Sequence, residues 1–230
     1  MVLAQTAPGF PVQAQRSLQV TYGSNNISPA GELIPRPEVA NPPTISTPAF
    51  TSTGKAILFM VDSDVPRNGT RVQLLHWLVS NVTLSAQNSS VLDIPTPGEA
   101  PYRQPSPPVG DIPHAYTFVL FSQPENFSIP AQFNDVLQTR VLFDISAFIA
   151  ATGLQDPIAA NYIQVQNVTG VSGTVTTFPP ARPTTTPTSS GNSSTVPIPG
   201  SAPPAVLGGG KFLWAGVGTA VIAGVAAFSL

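Results

Sequence analysis

Across residues 15–173, apolar positions fall in short runs separated by Pro, Gly and Asn, a pattern that predicts strands in preference to helices. Residues 56–61 (AILFMV) form a continuous apolar run of strand length, residues 72–79 alternate in part around His76, and residues 116–121 (YTFVLF) are aromatic and β-branched. These three runs read as central strands, apolar on both faces, so the domain must be layered, with cover on each side of its sheet. Residues 160–168 alternate as a further strand, with Tyr162 and Gln164 on one face and Ile163 and Val165 on the other. One helix is expected over 145–152: Asp144 caps it, Phe143 staples it, Gly153 ends it, and Ile145, Phe148 and Ile149 form its apolar face.

The pattern changes after residue 173. Residues 174–204 are dominated by Thr, Ser and Pro and hold little to bury, which predicts an extended, O-glycosylated stalk. Residues 212–230 are uncharged and apolar to the end of the sequence. Gly200, Ser201 and Ala202, then a spacer over 203–211, precede this tail in the order of a glycosylphosphatidylinositol (GPI) anchor signal. Gly200 and Ser201 are the candidate anchor sites, with residues 205–230 removed; a retained spanning helix is the alternative. At the other end, Val2-Leu3-Ala4 reads as the remnant of a signal peptide, with the mature chain starting at Gln5.

Composition sharpens the compartment. The sequence matches Asn-x-Ser/Thr at Asn26, Asn68, Asn81, Asn88, Asn126, Asn167 and Asn192, where chance would place about two such motifs. With the anchor signal, these sequons predict a glycoprotein on the outer leaflet of the plasma membrane or passed on to a cell wall. The net charge of -2 and thinly spread basic residues exclude a nucleic-acid surface. No cysteine is present, so disulfides and thiolate metal sites are excluded, and the 230 residues with 27 Pro suit one core with tails.

Chemistry-bearing residues cluster where the predicted strands end. Asp62-Ser63-Asp64-Val65-Pro66 follows the first strand, His76-Trp77 lies in the second, and Pro107-Pro108, Gly110 and His114-Ala115-Tyr116 lead into the third. Were these strands neighbours, the ends would converge on one polar pocket. His76 and His114 can each donate a ring N–H to a phosphate oxygen and Tyr102 a hydroxyl; Asp62 and Asp64 can orient an imidazole or receive an ammonium. Zinc ligation finds no close His pair, and Ser63 with Asp62 and a histidine makes a formal hydrolytic set without a Gly-x-Ser-x-Gly elbow.

In order and content these motifs resemble the phosphatidylethanolamine-binding protein family, over roughly residues 15–170. Asp62-Ser-Asp64-Val-Pro66 resembles the family's Asp-Pro-Asp-Ala-Pro, and His76-Trp77-Leu78 with Asn81 its His-Phe-Leu strand and Asn. Tyr102, Pro107-Pro108, Gly110 and His114-Ala115-Tyr116 follow its second motif. The chain is thus identified as an anchored, fungal-type member. The resemblance implies a mainly β domain over residues 5–173, with a central antiparallel sheet, a smaller sheet and a few short flanking helices. It also implies a ligand site made of Asp62, Asp64, His76, Tyr102, Pro107, Gly110, His114 and Tyr116. The function it implies is non-enzymatic and needs no cofactor: binding of a small anionic or zwitterionic ligand, such as phosphate or a phospholipid head group, or inhibitor-like action on a protein target. A structural or adhesion glycoprotein with an inert pocket is the alternative. Ser63, Leu75 and Ala115 depart from the family pattern, and Ala115 removes an Arg that would help hold an anion.

Overall fold

The computed structural model describes residues 5–51, 53–169 and 177–183. Among these residues, nine strands and two α-helices follow in order: β1 (Gln19–Tyr22), β2 (Asn25–Asn26), β3 (Glu32–Leu33), β4 (Thr44–Ser46), β5 (Ala56–Arg67), β6 (Thr70–Leu84), β7 (Leu92–Asp93), β8 (His114–Ser122), α1 (Asn134–Thr139), α2 (Ile145–Thr152) and β9 (Ala159–Val165). They form a three-stranded sheet ordered β2-β1-β4 and a six-stranded sheet ordered β3-β9-β8-β5-β6-β7, antiparallel except for the β3–β9 pair. The mainly β, two-sheet architecture with short helices is the one expected.

The continuous apolar runs are explained by two cores, one on each face of the large sheet. Ala56, Leu58 and Met60 point toward the small sheet and join Val20, Ile45 and Phe118, while Ile57, Phe59 and Val61 point the other way and join Phe121, Phe143 and Phe148. Each fully buried large side chain contributes roughly 1.5–3 kcal/mol, so β5, buried from Ala56 through Asp64, anchors both layers at once. The β5–β6 hairpin closes on Asn68-Gly69, both at positive φ (49° and 77°), a turn that suits this dipeptide.

Helix α2 forms as its sequence predicts: Asp144 accepts from the Ala147 N–H at 3.0 Å, Phe143 packs on Phe148, and Gly153 ends the helix at φ 68°. The last long strand stops at Val165, earlier than its alternation suggests, because Asn167 turns toward Pro107. Among the described residues no helix is long and apolar enough to cross a membrane. Asn192, Gly200, Ser201, the proposed signal remnant over 1–4 and the apolar tail lie outside the described residues.

Residues 177–183 depart from expectation. Placed by composition in the stalk, they return to the domain, because Arg182 finds Asp64 and Arg71 finds the carbonyls of Pro179 and Pro180.

Candidate functional site

The order β8-β5-β6 makes the three motif-bearing strands neighbours, with Asp62 opposite Tyr116 on one side and Leu74 on the other. A register shift between Asp62 and Val65 lets β5 turn both carboxylates into the site. Asp62, Asp64, His76, His114 and Tyr116 thereby come together, all buried.

The two histidines meet opposite environments. His114 lies between two carboxylates, with Nδ1 2.8 Å from Asp62 Oδ2 and Nε2 3.0 Å from Asp111 Oδ2. Burial opposes its charge, but hydrogen bonds and charge from Asp62 and Asp111 prevail and raise its pKa. Asp111 also receives both terminal nitrogens of Arg71, at 2.7 and 2.8 Å, as a planar fork. Burial works against ionisation of Asp111, yet Arg71, His114 and the Ile112 N–H bring its pKa down. His114 was expected to donate to a ligand; both of its ring nitrogens are already committed, so it orders the site instead.

His76 keeps a free end. Its Nδ1 lies 2.8 Å from the Arg103 carbonyl, which can only accept, so Nδ1 carries the proton. Its Nε2 is buried without a hydrogen-bond partner. Burial lowers the pKa of this ring, so the neutral form presents Nε2 as a lone pair, and Nε2 becomes a donor only on protonation. The expectation of a ready N–H donor is corrected in that respect. Tyr116 lies between the imidazoles, edge-on to His76 at 4.9 Å and stacked on His114 at 6.4 Å. Burial, then the charge of Asp62 and a hydrogen bond to it, hold its phenol protonated.

The remaining candidates separate from this group. The Tyr102 hydroxyl donates to the Val39 carbonyl at 2.8 Å and meets the Tyr22 hydroxyl at 3.0 Å, and its ring packs on Trp77, so it offers no donor to the pocket. Burial pushes its pKa up to about 12. Pro107 is buried and its carbonyl accepts from Asn167 Nδ2 at 3.2 Å, while Gly110 is exposed at φ 80°, beside Asp111. Neither carboxylate of the first motif is free: Asp62 also accepts from the Asp64 N–H at 2.7 Å, and Asp64 accepts from the Ala115 N–H at 2.8 Å and from Arg182 Nε at 3.1 Å. Of the sequons, Asn26, Asn68, Asn81, Asn88 and Asn126 are exposed, whereas Asn167 is buried.

Arg71, Asp111 and Arg182 were missed as site residues. A signal existed: three aspartates in apolar surroundings require cations, and Ala115 supplies none. Arg71 from β6 supplies a cation to Asp111, and Arg182 from the returning segment supplies one to Asp64.

A family profile described as phosphatidylethanolamine-binding protein matches residues 12–172. The chain belongs to that family. Among relatives of this phosphatidylethanolamine-binding protein family member, phomoidride biosynthesis cluster protein N of Talaromyces stipitatus is 34% identical, over 69% of this chain and 88% of its own length. A 26 kDa secreted antigen of Toxocara canis is 31% identical, over 66% of this chain and 56% of its own length. The structure of a carboxypeptidase Y inhibitor complexed with its cognate proteinase aligns with a TM-score of 0.52 at 20% identity, covering 67% of this chain and 85% of that one, which supports the shared fold.

Proposed function

We propose that this chain is a non-enzymatic cell-surface protein that binds a small phosphate-bearing anion at His76, beside Tyr116. The observation that carries this reading is the buried, unpartnered Nε2 of His76 in a cluster of buried side chains whose Asp62, Asp64 and His114 are all hydrogen-bonded. An unpaired polar atom in such a place costs on the order of 1–3 kcal/mol, a cost a ligand would relieve. A phosphate would do so by protonating the imidazole or by donating its own acid proton to Nε2. With Asp62 and Asp64 both occupied, the amine of a zwitterion has no free carboxylate, so the phosphate is the recognised part.

The non-enzymatic reading draws support from Ser63, whose buried Oγ has no hydrogen-bond partner and therefore no base to activate it. Cell-surface placement rests on the sequons, five of them on exposed positions, on the anchor signal in the sequence, and on similarity to a protein described as a secreted antigen.

The test is a titration with inorganic phosphate and with phosphorylethanolamine, following the ring resonances of both histidines. Saturable shifts at His76, of similar affinity for the two ligands and absent in His76→Gln, are expected. Flat resonances at millimolar ligand would replace this reading with a surface glycoprotein whose pocket is inert.

A further inference from the structure

Residues 177–183 (TFPPARP) are held to the domain by two arginines reaching in opposite directions. Arg71, from β6, reaches the segment from within the domain, with Nη2 donating to the Pro179 carbonyl at 2.6 Å and Nε to the Pro180 carbonyl at 3.3 Å. Arg182, from the segment, points inward, with Nε donating to Asp64 Oδ1 at 3.1 Å, Nη1 to the Gly9 carbonyl at 3.0 Å and Nη2 to the Pro8 carbonyl at 3.2 Å.

Each half reads a different property. Carbonyls are common to every residue, so Arg71 selects a path of the backbone, one that prolines hold ready because their φ is fixed. Asp64 with two carbonyls around it selects a planar fork of N–H donors, which fits a guanidinium better than an ammonium. The attachment rests mainly on Arg182: its side chain keeps only 19% of its surface exposed, while no residue of the segment is fully buried. A segment with no fully buried residue, held by a few hydrogen bonds and one ion pair, opens at less cost than a core strand. The groove is not filled either. A cavity of about 420 Å³ continues beside Arg182 toward α2, lined by Pro11, Ser63, Phe143 and Ser146.

We propose that this groove is a recognition site for an extended, proline-rich, arginine-bearing segment of a partner protein, and that residues 177–183 occupy it in cis as a competing ligand. A tethered competitor acts at an effective concentration on the order of millimolar, so a partner must bind more strongly than that or engage a second surface as well. The unfilled cavity gives it the means, since a side chain larger than any the segment places there gains apolar contact with Pro11 and Phe143. This inference stands apart from anion binding, because His76 takes no part in it.

The experiment uses the full chain, native and Arg182→Ala, titrated calorimetrically with the hexapeptide Phe-Pro-Pro-Ala-Arg-Pro and with the same peptide carrying glutamine in place of arginine. The variant should remain folded and bind the arginine peptide at least tenfold more tightly than the native chain does, with no binding of the glutamine peptide. Equal affinity of native and variant chains, or equal affinity of the two peptides, would overturn the proposal. So would an unfolded variant, since a displaceable segment cannot be required for folding. A native chain sedimenting as a dimer would assign the groove to a second copy and overturn the partner assignment.

Discussion

The two histidines belong to the same buried cluster, one on either side of Tyr116, yet they are different devices. His114 is enclosed by Asp62 and Asp111, with Arg71 behind, so its charge is compensated and its geometry set. His76 rests on a single backbone carbonyl and leaves a nitrogen unmatched. A motif that names both residues treats them alike; their neighbours decide which is scaffold and which is available.

The widest separation between the two sides should appear in stability. The Arg71–Asp111 pair is buried, with side-chain exposures of 2% and 0%, so Arg71→Met leaves Asp111 with only the shared His114 as its cationic partner and should cost roughly 3–5 kcal/mol by urea denaturation. His76→Gln removes a group that is only half satisfied and should cost clearly less. Equal losses would mean that the two sides are energetically alike.

Next in size is the dependence of phosphate affinity on pH. His76 starts with a lowered pKa and gains a proton with the ligand, so affinity should fall as pH rises, by up to about tenfold per unit. A pH-independent affinity would show that the imidazole does not take up the proton.

A smaller effect lies in the pH dependence of folding. The pKa of His114 is raised in the folded state, so its contribution is complete below about pH 6.5 and is lost as pH rises through the folded value. His76 acts in the opposite sense, its lowered pKa withdrawing stability as pH falls below about 6.5. Thermal melts of His114→Gln should therefore lose the alkaline decline and keep the acid one.

The smallest effect is expected at Tyr102. Its hydroxyl serves Val39 and Tyr22, so Tyr102→Phe should cost about 1 kcal/mol and leave phosphate affinity unchanged. A loss of affinity would return Tyr102 to the pocket.

What could be read from the sequence follows from the range of the forces involved. Strands β5 and β8 and helix α2 were legible because unbroken apolar runs and the Asp144 and Gly153 caps are local signals. Strand β2, of two residues, and helix α1, with nothing buried, carry too little pattern to be seen. The motif aspartates and histidines were legible by resemblance. The arginines were not, since Arg71 meets Asp111 across 40 positions and Arg182 meets Asp64 across 118, and ion pairs leave no periodic trace.

The hairpin turn at Asn68-Gly69 has a practical consequence for engineering. Asp62 is registered by β8 as well as by β6, and the register shift before Val65 separates the carboxylates from the exposed tip. The tip can therefore accept a spliced-in epitope or fluorophore tag while Pro66 stays opposite Arg71, giving a labelling port whose occupant reports on the protein without entering its binding chemistry.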